Sequence, residues 1–153
     1  MQVIKGQAVN WATIAIVVSE FNTEITSALL AGAMSQLQES GVNPEKITVV
    51  HVPGAVEIPL TVSRLADTEK YDAIIALGAV IRGETSHYDT VCEQVSLGCQ
   101  QVMLDYSLPV IFGVLTTENV EQARDRIGGK KGHKGKDVAN AALAMISILQ
   151  QIT

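Results

Sequence analysis

Four short, mostly apolar runs alternate with stretches of helical period, and that alternation restricts this chain's fold more than any other feature. The runs are Ile14-Ala15-Ile16-Val17-Val18, Ile47–Val52, Ala73–Leu77 and Pro109–Leu115. Continuous apolar runs are what strands covered on both faces require. After the first, Ile25, Leu29, Ala33 and Leu37 recur at four-residue steps, with Leu30 and Met34 beside them. Asn22 or Thr23 is available to cap that helix, Gly41 ends it, and Asn43-Pro44 turns the chain. The second run leads through Pro53–Glu57 into a helix with Ile58, Val62, Leu65 and Ala66 on one face, Pro59 falling in its first turn. The third leads to a helix spaced by Val91, Val95 and Val102, from Tyr88 to Met103. The fourth leads to a short helix from Thr116-Thr117-Glu118 to about Arg126. A glycine- and lysine-rich loop, Gly128–Gly135, precedes a last helix with Val138, Ala142, Met145, Ile146, Leu149 and Ile152. Val3-Ile4 is a candidate edge strand. The expected fold is α/β: one domain over 1–153, a three-layer sandwich whose parallel four-stranded central sheet carries helices on both faces.

Composition narrows the partners. At 153 residues, 47% hydrophobic and 18% charged, the chain can bury a real core and has area left for subunit contacts. A net charge of −5 argues against nucleic acid or an anionic membrane as a general partner. The exception is local. Arg124, Arg126, Lys130, Lys131, Lys134 and Lys136 are six of the eleven basic residues, a cluster suited to one small anion or a solvated surface run. Cys92 and Cys99 lie two helical turns apart, roughly 10 Å, too far for a disulfide. No second ligand pair stands near them, so they read as core residues rather than zinc ligands. No apolar run reaches about 18 residues, and the first ten lack a signal peptide's layout, so a cytoplasmic location is expected.

The chemistry gathers at Leu77-Gly78-Ala79-Val80-Ile81-Arg82-Gly83-Glu84-Thr85-Ser86-His87, between the third run and its helix. Two glycines allow a tight turn, and Thr85 or Ser86 is a good cap, with Asp89 three residues after Ser86. Free N–H groups and the helix dipole favour an anion there. Imidazole, at His87 in the first turn, is the side-chain type that moves protons near neutral pH. The spacing Gly78-x4-Gly83 approaches a P-loop, but Glu84 stands where that loop needs Lys, and a carboxylate there repels a triphosphate. A smaller phosphorylated ligand is expected.

Ligands of open parallel sheets bind beyond the carboxyl ends of the strands. The loops there are Ser19–Asn22, Pro53–Glu57, Gly78–His87 and Thr116–Glu118, and they supply Phe21, Glu57 and His87, with Phe112 inside the fourth run. Phe21 reads as a stacking platform or as core filling. Glu57 reads as a holder of sugar hydroxyls or as a carboxylate favouring a helix start. His51 reads as a satisfied strand histidine ahead of a ligand contact, and Arg126 and Lys134 as anion contacts or solvated charges.

Phe21-Asn22, Pro53-Gly54-Ala55-x-Glu57-Ile58-Pro59, Gly78-x-Val80-Ile81-Arg82-Gly83-x-Thr85-x-His87-Tyr88, Phe112-Gly113-x-Leu115-Thr116-Thr117-Glu118 and Lys134-Gly135 together resemble the 6,7-dimethyl-8-ribityllumazine synthase family, in order and over essentially the whole chain. The resemblance implies a flavodoxin-like sheet and the penultimate step of riboflavin synthesis. In that step 5-amino-6-(D-ribitylamino)uracil condenses with 3,4-dihydroxy-2-butanone 4-phosphate, releasing phosphate and water, without metal or redox cofactor. It further implies that Phe21 stacks on the pyrimidine, Glu57 holds ribityl hydroxyls, and backbone groups at Asn22 and Ala55 orient the same substrate. Val56, Ala79, Val80 and Ile81 line the pocket. By the same resemblance, Arg126 and the amides of Glu84 and Thr85 would bind phosphate, His87 would transfer protons, Phe112 would wall the site, and Lys134 would contact the pyrimidine end. Val56 stands where many members carry an aromatic, which implies weaker stacking. Gly129, Lys131 and His133 depart from the usual basic loop, while Lys130 and Lys134 keep their places.

The same resemblance implies rings of five, an N-terminal segment adding to a neighbour's sheet, and active sites shared between adjacent subunits. Phe21, Glu57 and His87 would come from one chain and Phe112, Arg126 and Lys134 from the next. Some members of that family close twelve rings into a shell of sixty; the Gly128–Gly135 loop resembles theirs in lacking an insertion, which implies such a shell, with riboflavin synthase as a further partner. Three rivals have other chemistry. A flavodoxin-like electron carrier needs aromatic walls around a flavin, and a receiver module needs acidic residues where Ser19 and Gly78 stand. A catalytically weak shell-forming or flavin- or lumazine-binding relative of the same fold differs only in turnover.

Overall fold

In the computed structural model, residues 1–152 are described. Strand β1 (Ile14–Ser19) is followed by α1 (Thr23–Glu39), β2 (Ile47–Val52), α2 (Ile58–Asp67) and β3 (Ala73–Ile81). Then come α3 (His87–Tyr106), β4 (Val110–Thr117), α4 (Val120–Arg124), β5 (Ile127–Gly129), β6 (Gly132–His133) and α5 (Lys134–Gln151). The four long strands form one parallel sheet, as the apolar runs predict, and its order, β2-β1-β3-β4, puts β2 at an edge. Every residue of β1 is buried, because the strand lies inside the sheet with a layer on each face.

The two faces sort by residue parity. Ile14, Ile16 and Val18 pack with Leu29 of α1 and Leu143 of α5, whereas Ala15 and Val17 pack with Val62 of α2 and Val95 of α3. Right-handed crossovers explain the division. The connection from β1 to β2 moves one way along the sheet, and those from β2 to β3 and β3 to β4 move the other way. Their helices therefore fall on opposite faces. Each fully buried Leu or Ile contributes about 1.5–3 kcal/mol through removal from water. The strand order reverses at β1, so a crevice opens above the carboxyl ends of β1 and β3.

Several elements differ from the sequence expectation. β3 continues past Leu77 to Ile81, so Gly78 is buried strand interior and not a turn. A Cβ on Gly78 would sit 2.8 Å from Ser19 Oγ, and close approach across the β1/β3 ladder explains the glycine. β4 likewise runs to Thr117. The short helix starts only at Val120, where Asn119 caps it by accepting from the Gln122 N–H at 2.8 Å. The glycine-lysine loop contains an antiparallel hairpin, β5/β6, with Gly128 and Gly132 at positive φ. Val3-Ile4 forms no strand. The N-terminal segment instead meets α5, where Gly6 abuts Ala144 and Gln151 Nε2 donates to the Lys5 carbonyl at 2.8 Å. His51 is exposed on the edge strand β2, and its side chain makes no hydrogen bond among the described residues, so it is not the satisfied strand histidine expected.

Candidate active site

A cleft of about 480 Å³ occupies the reversal point of the sheet. Its first wall comes from the β1–α1 connection. Glu20 N–H donates to the Val52 carbonyl at 2.8 Å and Phe21 N–H to the Pro53 carbonyl at 3.1 Å, which carries the β1/β2 pairing beyond the strands. Asn22 then turns left-handed at φ 64°, a conformation Asn tolerates better than most residues. Its side chain does not cap α1. Nδ2 donates instead to the Ala79 carbonyl at 2.8 Å, tying the loop to β3. Phe21, 72% exposed, is thereby held at the cleft with a free ring face.

The second wall is the one-turn 3-10 helix Ala55–Glu57, from which Ala55 and Val56 line the cleft together with Gly54. Glu57 Oε1 lies 3.2 Å from where a Cβ on Gly54 would stand, so the carboxylate folds back along this wall. The floor is the end of β3, Ala79, Val80 and Ile81. Gly83, Thr85 and His87 close the side formed by the turn between β3 and α3, and Tyr88 and Val91 of α3 complete it. Glu84 is exposed in the same turn, between two residues of the lining. The cap of α3 differs from the expected capping box. Ser86 is the N-cap residue without a side-chain bond, Thr85 Oγ1 accepts from the His87 N–H at 3.3 Å, and Asp89 pairs with Arg82.

Phe112, Arg126 and Lys134 lie outside this cleft. Phe112 is half-buried on β4 against the α2/α3 layer, paired in register with Ala76. Arg126 Nη1 donates to the Gln122 carbonyl at 2.8 Å, and Lys134 N–H donates to the Arg126 carbonyl at 2.7 Å across the base of the hairpin. The chain thus gathers nine of the fourteen residues singled out from sequence, keeps Glu57 and Glu84 adjacent, and holds three elsewhere.

Electrostatics leave few reactive groups. Burial pushes the Cys99 thiol up to about 11 and raises that of Cys92 as well, so neither is a ready nucleophile near neutral pH. Burial also raises the Tyr88 phenol. Among the described residues, no three His, Cys, Asp or Glu side chains converge as metal ligands, and no helix is long and apolar enough to cross a membrane. Gly54, Gly83, Tyr88 and Val91 belong to the lining without having been singled out. Gly83 has an ordinary φ, and a Cβ placed on it would meet no atom within 4 Å, so neither backbone strain nor packing within the chain demands glycine there. Its position on an open cleft was not readable from a glycine pair alone.

Residues 12–150 match the family described as 6,7-dimethyl-8-ribityllumazine synthase. The chain belongs to that family. Proteins named 6,7-dimethyl-8-ribityllumazine synthase from Coxiella burnetii strains CbuG_Q212, RSA 493 / Nine Mile phase I and Dugway 5J108-111 are each 56% identical to it over 139 residues. Those alignments cover 91% of this chain and 92% of each relative. Membership in the 6,7-dimethyl-8-ribityllumazine synthase family accords with the parallel sheet and with the motifs that place Phe21, Ala55 and His87 around one cleft.

Proposed function

We propose that this protein, acting as one domain over 1–153, condenses 5-amino-6-(D-ribitylamino)uracil with 3,4-dihydroxy-2-butanone 4-phosphate to 6,7-dimethyl-8-ribityllumazine. The observation that carries the reading is the cleft itself: an exposed aromatic, Phe21, and a histidine in the first turn of a 20-residue helix line the same cleft. The pyrimidine stacks on Phe21, and its ribityl hydroxyls reach Glu57. The phosphate sits on the exposed amides of Glu84 and Thr85, where the positive end of α3 favours an anion.

The reaction then needs little side-chain chemistry. The pyrimidine amine attacks the ketone carbon, and the carbinolamine loses water to give an imine. Removal of the proton on the adjacent carbon expels phosphate, and the resulting enol takes up a proton on carbon to become a second ketone. The ribitylamino nitrogen closes the ring on that ketone with loss of a second water. His87 accepts and returns protons in these steps, while the cleft supplies proximity. Phosphate leaves as an anion already held by N–H groups, so charge developing on it is stabilised where it forms.

The location of Phe112, Arg126 and Lys134 away from the chain's own cleft supports a site shared between adjacent subunits of a ring of five. The neighbour's Arg126 would then add the cation to the phosphate, and its Phe112 and Lys134 would close the pyrimidine end. We further read the rings as assembling into a shell of sixty in the cytoplasm, where riboflavin synthase consumes the product. Purified, chelator-treated protein given both substrates should form the fluorescent lumazine above the spontaneous rate; no excess over that rate removes the assignment. Sedimentation velocity should show the shell, and a five-subunit species alone would leave the ring and remove the shell.

A further inference from the structure

Arg82, Tyr88 and Glu118 belong to the family motifs, yet the reaction above assigns them nothing. In the fold they meet. Arg82 follows β3 immediately, and its N–H donates to the Thr117 carbonyl at 2.9 Å, extending the β3/β4 pairing by one bond. Its Nε donates to Glu118 Oε2 at 2.7 Å and its Nη2 to Asp89 Oδ1 at 3.2 Å, while the guanidinium carbon lies 4.4 Å from the Tyr88 ring centroid. One planar side chain therefore joins the end of β4 to the first turn of α3. Beyond it, residues 83–86 are all exposed, and a Cβ placed on Gly83 would meet no atom within 4 Å. Within that turn, the side-chain bond is the single long contact from Thr85 Oγ1 to the His87 N–H.

We propose that Arg82 is a positioning residue for the phosphate end of the site: held by Glu118 and Asp89 and stacked on Tyr88, it fixes the turn 83–86 and the orientation of the α3 N-terminus. The inference rests on the proposed function for the identity of the phosphorylated ligand. It assigns Arg82 no contact with that ligand, because two guanidinium nitrogens are committed to carboxylates and the residue is not part of the cleft lining. The geometry calls for Arg and not Lys. A planar fork addresses two carboxylates while its face stacks on an aromatic, which a single ammonium cannot do.

The test uses Arg82→Ala, Arg82→Lys and Glu118→Gln in the full-length protein. Each is assayed for KM towards both substrates, for affinity for inorganic phosphate by calorimetry, and for Tm. A brace predicts that Arg82→Ala and Glu118→Gln each raise the KM for the butanone phosphate and weaken inorganic phosphate by about fivefold, the scale of a few partly exposed charge contacts. The KM for the pyrimidine and the Tm should hold, and Arg82→Lys should fail to rescue. Tighter phosphate binding in Glu118→Gln would overturn the proposal, because releasing a guanidinium that binds the ligand directly would have that effect. Unchanged phosphate affinity in all three, or equal losses for both substrates with a falling Tm, would overturn it as well. If the wild type turns over nothing, the proposed function fails, while the inorganic phosphate titrations still decide the brace.

Discussion

At the scale of single residues, the proposed division between proton transfer and anion binding gives separable kinetics. His87→Ala should mainly lower kcat, by about 10²-fold or less, because proximity survives the loss of one proton-transfer group. Arg126→Ala should raise the KM for the butanone phosphate more than that for the pyrimidine, since it removes a charge-assisted contact to one substrate alone. Steady-state kinetics with each substrate varied in turn checks both; an unchanged phosphate KM in the Arg126 variant refutes its role. Phe21 and His87 were legible as cleft residues because an aromatic and an imidazole stand out at strand-end loops, whereas Asn22 by its type read only as a helix cap. Arg82 was not. Its partner Glu118 is 36 positions away, and no local pattern announces a pairing that depends on β3 and β4 being neighbours.

At the scale of elements, the contrast between Gly78 and Gly83 separates packing from ligand approach. Gly78→Val should destabilise the protein by about 1–3 kcal/mol through overpacking, since Ser19 Oγ, Ile58 and Val114 all crowd the added atoms. Gly83→Ala should leave stability unchanged and weaken the butanone phosphate, because the methyl enters the open cleft. Denaturant melts and phosphate-substrate KM values distinguish the two, and a stable Gly78→Val would show that the β1/β3 ladder yields more readily than its spacing implies. Sequence reading placed both glycines in one turn, since a glycine needed for close approach across strands looks the same as one needed for a bend. The sheet itself was legible, because its four strands are written as short, mostly apolar runs, although β2 proves to be a largely unburied edge strand. The β5/β6 hairpin was not: two- and three-residue strands are too short to show a period.

At the scale of the whole molecule, a site shared between copies permits a complementation experiment. His87→Ala and Arg126→Ala protein, unfolded together and refolded as an equal mixture, should regain activity well above either variant refolded alone. In a random heterologous ring, about a quarter of the sites pair a sound His87 face with a sound Arg126 face. No gain on mixing means that each site lies within one chain. A different property follows from the bond between Gln151 and the Lys5 carbonyl. It pins the segments around Lys5 and Gln151 to one spot, so a tag or tethered cargo joined beside either of them emerges from the same place. A short peptide bridging them would circularise the chain at little loop-closure cost, leaving surface turns such as that around Glu69 as places to open new termini.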